Sequence, residues 1–325
     1  MTSPIGNETA RAAFAAAVAG GSIHHAWLIA GPEGVGKGLF ARAAAAVLLG
    51  RAIDPSVPLA GPLPPDHRIA RLLASGAHPD YRELVRLPKD AAKPDEGLKR
   101  SIAIDQVRTL QPMFATKPAL SERRVIVIDA IDDLERAGAN ALLKNLEEPP
   151  TGTIFLLVSH APGRLLPTIR SRCRLLRFSA LEDGDVARAL RNADPELAEP
   201  EIAALVRAGA GSPGRALAFA GLDMAAIERE LETIAASGDR DNAARGRLAK
   251  ALAGKGAAAR FAAFVERVPA FIAEQARVAS GERLRTALDA HADARQVGGI
   301  ALALTQDAAG AVFELGGIVA RLAPR

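Results

Sequence analysis

A single cysteine, Cys173, stands among 325 residues. No intramolecular disulfide can form, a reducing compartment is the simple expectation, and a structural zinc, which usually takes several thiolates, loses its commonest ligands. Aromatic side chains make up only 4% of the chain while alanine is abundant, so much of the core is expected to be helix packed on helix. No uncharged apolar run is long enough to span a bilayer. Even Gly299–Leu322 carries Asp307 and Glu314. The N-terminal stretch has no positive charge before its apolar run and no signal-like cleavage site. No membrane association and a cytoplasmic location are therefore expected. The net charge of +4 permits contact with nucleic acid without arguing for it.

What is present is organised in two styles. The first half alternates short β-rich runs with helical stretches, the pattern of a parallel sheet with crossover helices. Strands are expected at 26–30, 81–87, 124–132 and 153–160, with a last one closing the region near Phe178. Helices are expected over 39–50, as a short element over 105–114, and after Leu134 up to the stop at Pro149–Pro150. The stretch 54–66 is too proline-rich for regular structure. The stretch 88–100 reads as a charged, exposed loop. Near Ser179 strand signals vanish, and the remainder reads as helix. There "GSPGRAL" gives a clear start, with Ser212 able to cap and Pro213 suited to the first turn. The fold class is thus α/β followed by all-α, in three parts: an α/β domain over 1–178, a small helical domain over 179–221 and a larger one over 222–325.

The stretch "GPEGVGKG", Gly31–Gly38, matches a phosphate-binding loop except at its last position. Gly31, Gly34 and Gly36 let backbone N–H groups converge on an anion, the following helix adds its positive end, and Lys37 supplies a point charge. The motif ends in Ser or Thr, whose hydroxyl holds magnesium. Here that position is Gly38. A second gap lies at the acidic end of "RVIVIDAID". Asp129 fits a metal-binding aspartate, but Ala130 stands where a glutamate would polarise the attacking water, and a methyl group cannot act as a base. Asp132 and Asp133 read as the polar start of the next helix. Two losses together point to abandoned hydrolysis. The histidines make no site. His24 and His25 should point apart on a regular strand and pack near the nucleotide pocket; His67 and His78 make no ligand cluster with Cys173. Within "LLPTIRSRCRLLRF", the four arginines from Arg170 to Arg177 are either a basic edge beside the last strand or include a finger able to reach a neighbour's γ-phosphate.

Several segments in order, "HAWLIAGPEGVGKG", "HPDY", "IAIDQVR", "ANALLKNLEEPP", "LPTIRSRC" and "GSPGRAL", resemble the bacterial clamp loader subunits of the AAA+ superfamily. The resemblance implies an AAA+ P-loop domain, a helical lid and a C-terminal helical collar used for oligomerisation, the last assigned by position alone. It implies a hetero-oligomeric pentameric ring with gamma/tau and delta subunits, acting through the complex on a sliding clamp and primed DNA. It makes Arg172 an arginine finger acting in trans, Ser159 a first sensor and Arg215 a second. Gly31, Gly34, Gly36, Lys37, Asp129, Ser159 and Arg215 would then form a degenerate nucleotide site in a subunit without ATPase activity of its own. No cofactor is required, and ATP or ADP binding without turnover stays open. Family members usually carry a four-cysteine zinc module before "HPDY"; this interval has no cysteine, so no zinc is expected. The alternatives are an active ATPase resembling gamma/tau, and an AAA+ protein serving another DNA transaction.

Overall fold

The computed structural model describes residues 4–21, 23–93, 97–254, 256–304 and 307–324. Pro94, Asp95 and Glu96 of the expected charged loop lie outside the described residues. The chain divides into two compact units, one ending at Leu181 and the other beginning at Glu182.

The first unit is a parallel sheet with crossover helices. In chain order it runs α1 (Glu8–Ala19), β1 (Ala26–Ala30), α2 (Lys37–Ile53), α3 (Arg68–Ala74), β2 (Tyr81–Val85), α4 (Ile104–Arg108), α5 (Gln111–Phe114), β3 (Arg124–Asp129), α6 (Arg136–Glu147), β4 (Thr153–Ser159), α7 (Pro167–Arg170) and β5 (Arg174–Arg177). The strand order is β2-β3-β4-β1-β5, and each pairing is parallel. The three inner strands, "AWLIA", "RVIVID" and "TIFLLVS", are buried almost throughout because helices cover both faces. The edge strands β2 and β5 are mostly accessible and correspondingly mixed in polarity. One face packs Leu28, Ile126, Ile128, Phe155 and Leu157 against Val107, Leu110, Leu142 and Leu146 from the helices.

Some expected boundaries moved. The strand expected to reach residue 132 stops at Asp129 and is followed by a 3-10 turn, Ile131–Asp133. Asp132 and Asp133 are therefore not the start of α6, which opens three residues later at Arg136. The expected helix over 105–114 is two short pieces joined at Leu110, with Pro112 in the first turn of the second. Helix α3 was not foreseen; His67 caps it, its Nδ1 accepting from the Ile69 N–H at 3.2 Å. His24 and His25 do not point apart. They precede β1, and their rings stack with centroids 4.4 Å apart. His25 Nε2 contacts the Leu146 carbonyl, at the opposite end of β1 from the glycine loop Gly31–Lys37.

The second unit is helical: α8 (Asp183–Ala193), α9 (Glu199–Gly209), α10 (Pro213–Ala218), α11 (Met224–Ser237), α12 (Ala243–Leu252), α13 (Ala258–Arg277), α14 (Gly281–Leu304) and α15 (Ala308–Ala320). The start of α10 has the expected chemistry, the Ser212 hydroxyl accepting from the Arg215 N–H at 3.2 Å with Pro213 in the first turn. Inside this unit Arg267 is fully buried and bridges Glu228 of α11 and Glu274 of α13. Among the described residues, no helix is long and apolar enough to cross a membrane.

Candidate functional site

Parallel strands that share a direction bring their C-terminal ends to one edge, and crossover connections leave a crevice there. Three stretches singled out from the sequence meet at that edge: Gly31–Lys37 after β1, Asp129 at the end of β3 and Ser159 at the end of β4. Gly34 and Gly36 adopt left-handed backbone, with φ of 74° and 92°, which an L side chain resists. Gly31 is needed for closeness, since a Cβ there would fall on the Phe178 carbonyl oxygen. The Gly31 N–H donates to the Ser159 carbonyl at 3.2 Å, tying the loop to β4.

Lys37 opens α2 and is buried. Its Nζ donates to the carbonyls of Gly31, at 2.8 Å, and Pro32. Burial pulls its pKa down to about 8, against the raising influence of Asp129, Asp132 and Glu33. The ammonium thus braces the loop from inside.

At Gly38 the hydroxyl is missing and so is the room for it. A Cβ built on Gly38 would fall on Asp129 Oδ2. The same oxygen accepts from Arg42 Nη2 at 3.3 Å, and Arg42 Nε donates to Glu83 Oε1 at 2.8 Å. Tyr81 completes the row, its hydroxyl donating to Glu83 Oε2 at 3.1 Å. Burial raises the Tyr81 pKa, with the Glu83 carboxylate adding to it, so the phenol stays protonated as a donor. Arg42 and Glu83 were not foreseen. The available signal was spacing: Arg42 follows Gly38 by four residues on a helix and so faces the same way.

Ser159 is buried, and its hydroxyl donates to Asp132 Oδ1 at 3.0 Å. Asp132 also accepts from the backbone N–H of His160, at 2.7 Å, and of Ala161, at 3.0 Å. It is a clamp between the 3-10 turn and the end of β4. Asp133 pairs instead with Arg86 Nε at 3.1 Å, while burial raises its pKa. Ala130 is buried beside this cluster and offers no proton acceptor.

Arg172 is not at this edge. It sits in the turn between α7 and β5, where Trp27 at the start of β1 pairs with Arg174. The Gly31–Lys37 loop follows the far end of β1, roughly 13 Å along the strands at about 3.3 Å per residue. Arg172 is partly exposed; Nη1 donates to the Thr168 carbonyl at 2.9 Å, and Nη2 pairs with Glu147 Oε1 at 2.6 Å. The neighbouring Cys173 thiol is half-buried, and burial pushes its pKa up to about 12, which keeps it protonated and unreactive. Arg215 lies in the helical unit near the start of α10, over the Phe219 ring and 3.7 Å from Glu266 Oε2. Among the described residues, no three His, Cys, Asp or Glu side chains gather as a metal cluster.

Comparison with known proteins adds a family. The model of the family described as DNA polymerase III, delta subunit, matches residues 6–182. The chain is 42% identical over 149 residues to DNA polymerase III subunit delta' of Pseudomonas aeruginosa, covering 46% of this chain and 41% of that protein. It is 36% identical over 152 residues to the Escherichia coli K12 protein of the same name, covering 47% and 42%. The match thus spans about two fifths of the length of these relatives. With DNA polymerase III subunit gamma/tau of Mycobacterium tuberculosis it shares 31% identity over 214 residues, 64% of this chain and 34% of that protein. Among solved structures, a DNA polymerase III gamma subunit-related protein from Thermotoga maritima aligns over 96% of this chain and 97% of its own, at 17% identity and a TM-score of 0.45.

Proposed function

The chain belongs to the family described as DNA polymerase III, delta subunit, and we propose that it is a stator subunit of a clamp loader, one that assists ATP turnover without performing it. One observation carries the reading. Arg172 lies at the opposite strand ends from this chain's own phosphate loop, so a nucleotide reached by its guanidinium belongs to another chain. An arginine supplied in trans to a γ-phosphate neutralises charge that develops in the transition state. The loop on this chain lacks the means to spend a phosphate: Gly38 has no hydroxyl, Ala130 no base, and Ser159 already gives its hydroxyl to Asp132.

In this reading the partners are gamma/tau and delta subunits in a cytoplasmic complex that loads a sliding clamp onto primed DNA. Residues 179–221 form the lid, carrying Arg215 as a second sensor, and 222–325 the oligomerising collar. No zinc or other cofactor is required, and the phosphate loop holds ATP or ADP without hydrolysing it. A second reading, an active ATPase resembling gamma/tau, draws on the intact glycines and on Lys37. Purified chain should bind gamma/tau and delta and, alone, show no ATP turnover. Turnover on the order of 1 per second by the isolated chain would support the second reading instead. Failure to assemble with those subunits would remove the first.

A further inference from the structure

A phosphate-loop fold implies a magnesium ion held near the loop hydroxyl and the aspartate on the neighbouring strand. The residues of this chain do not fit one. Gly38 contributes no oxygen, and the position its side chain would take coincides with Asp129 Oδ2. Asp129, the remaining ligand, is engaged by Arg42 Nη2 at 3.3 Å. Arg42 Nε holds Glu83 Oε1 at 2.8 Å, so one guanidinium spans two carboxylates. A guanidinium has donors enough to serve both singly, and it carries its charge at any accessible pH. The third terminus, Nη1, makes no hydrogen bond among the described residues. It lies 3.3 Å from the built Gly38 Cβ, at the first turn of α2.

We propose that Arg42 takes the place of the divalent cation at Asp129, so that the loop holds a nucleoside diphosphate or triphosphate without metal. Lys37 and Arg42 are then the two positive charges of the site, one inside the loop on the Gly31 and Pro32 carbonyls and one beside Asp129. The inference rests on reading the loop as a phosphate cradle. It goes further by naming the counter-charge, a residue outside the loop motif, and by making ligand binding independent of magnesium. It also gives a physical reason for Gly38: a serine or threonine there would have to displace the carboxylate that Arg42 holds.

The test is calorimetric titration of the full chain with ADP and with adenylyl imidodiphosphate, in excess EDTA and in millimolar magnesium. The expected result is saturable binding with dissociation constants equal within about twofold in the two media. In Arg42→Ala, loss of a charge-assisted contact should weaken binding in EDTA by about tenfold or more, and magnesium should restore part of it. Arg42→Lys should fall between, because it keeps the charge and loses the planar guanidinium. The wild-type comparison needs no variant, so it stands even if Arg42→Ala folds poorly. Binding that weakens tenfold or more in EDTA would overturn the inference and leave the phosphate cradle intact. Absence of saturable binding in both media would remove the cradle reading and this inference with it. A manganese ion bound to the wild-type chain and lost in Asp129→Asn, read by electron paramagnetic resonance, would also overturn it.

Discussion

Arg42 and Arg267 do the same local thing in two regions of the molecule, each bridging two carboxylates, yet their surroundings give them different work. The Arg42 side chain is 37% exposed, and its partners Glu83 and Asp129 keep 23% and 20% of theirs. The Arg267 and Glu228 side chains are 0% and 2% exposed. Water near the first cluster screens its charges and makes partners exchangeable, which suits a place where ligands arrive. Arg267 and Glu228 have no such solvent, while their third member, Glu274, keeps 34% of its side chain exposed. This second cluster joins α11 to α13, and removing Glu228 would leave the buried guanidinium of Arg267 with Glu274 alone. Burial, more than the list of contacts, decides which arginine is structural.

The steepest way to break this comparison is Glu228→Ala. It should destabilise the helical unit by about 3–5 kcal/mol, because Arg267 would remain buried with half its partners gone. Urea unfolding followed by circular dichroism measures it, and a loss below about 1 kcal/mol would put the two clusters on equal terms. Next is the pH response of Lys37. Its folded pKa of about 8 lies below the ordinary lysine value near 10.5. Between those values the unfolded chain keeps a proton that the folded chain has released, so stability should rise with pH in that window and not below it. Relative to Lys37→Met, the wild-type chain should gain up to about 3 kcal/mol from pH 8 to pH 10.5. Chemical denaturation across that range reads the trend; a falling or flat difference would contradict it.

Asp132→Ala should cost about 2 kcal/mol, since the Ser159 hydroxyl and two backbone N–H groups lose their shared acceptor. Hydrogen exchange should quicken at His160 and Ala161 first. The smallest effect on stability is expected from Arg42→Ala, about 1 kcal/mol or less for a half-exposed pair. A thermal midpoint close to wild type, together with the altered nucleotide binding proposed above, would sharpen the contrast with Glu228.

The sequence made the local elements legible and left the long-range pairs hidden. "RVIVID" and "TIFLLVS" announce buried strands because both of their faces are covered, and Ser212–Pro213 announces a helix start because capping is a matter of a few residues. The strand, glycine turn and helix around Gly31–Lys37 were readable for the same reason, since they are contiguous. Asp132 was misread because a carboxylate just past a strand looks like a helix opening; its partners lie 27 to 29 residues away. Arg42 and Glu83 are 41 residues apart, and Arg267 and Glu228 are 39 apart, so no window of helical or strand period contains either pair. His24 and His25 misled differently: alternation holds only on a strand, and they precede one. The missing hydroxyl at Gly38 was visible from the start. That Asp129 occupies its space was not.

The central claim, that this chain contributes to ATP chemistry through Arg172 and not through its own loop, is tested most directly by one paired measurement. Clamp-loading ATP turnover is compared in a loader reconstituted with gamma/tau and delta and carrying either Arg172→Ala or Lys37→Ala in this chain, with assembly of each complex verified. Loss of an arginine finger should lower turnover at the neighbouring site by about 10³–10⁵-fold, seen as loss of that site's share of the total, whereas Lys37→Ala should leave turnover near wild type. Unchanged turnover in Arg172→Ala, or an equal loss in Lys37→Ala, would contradict the account.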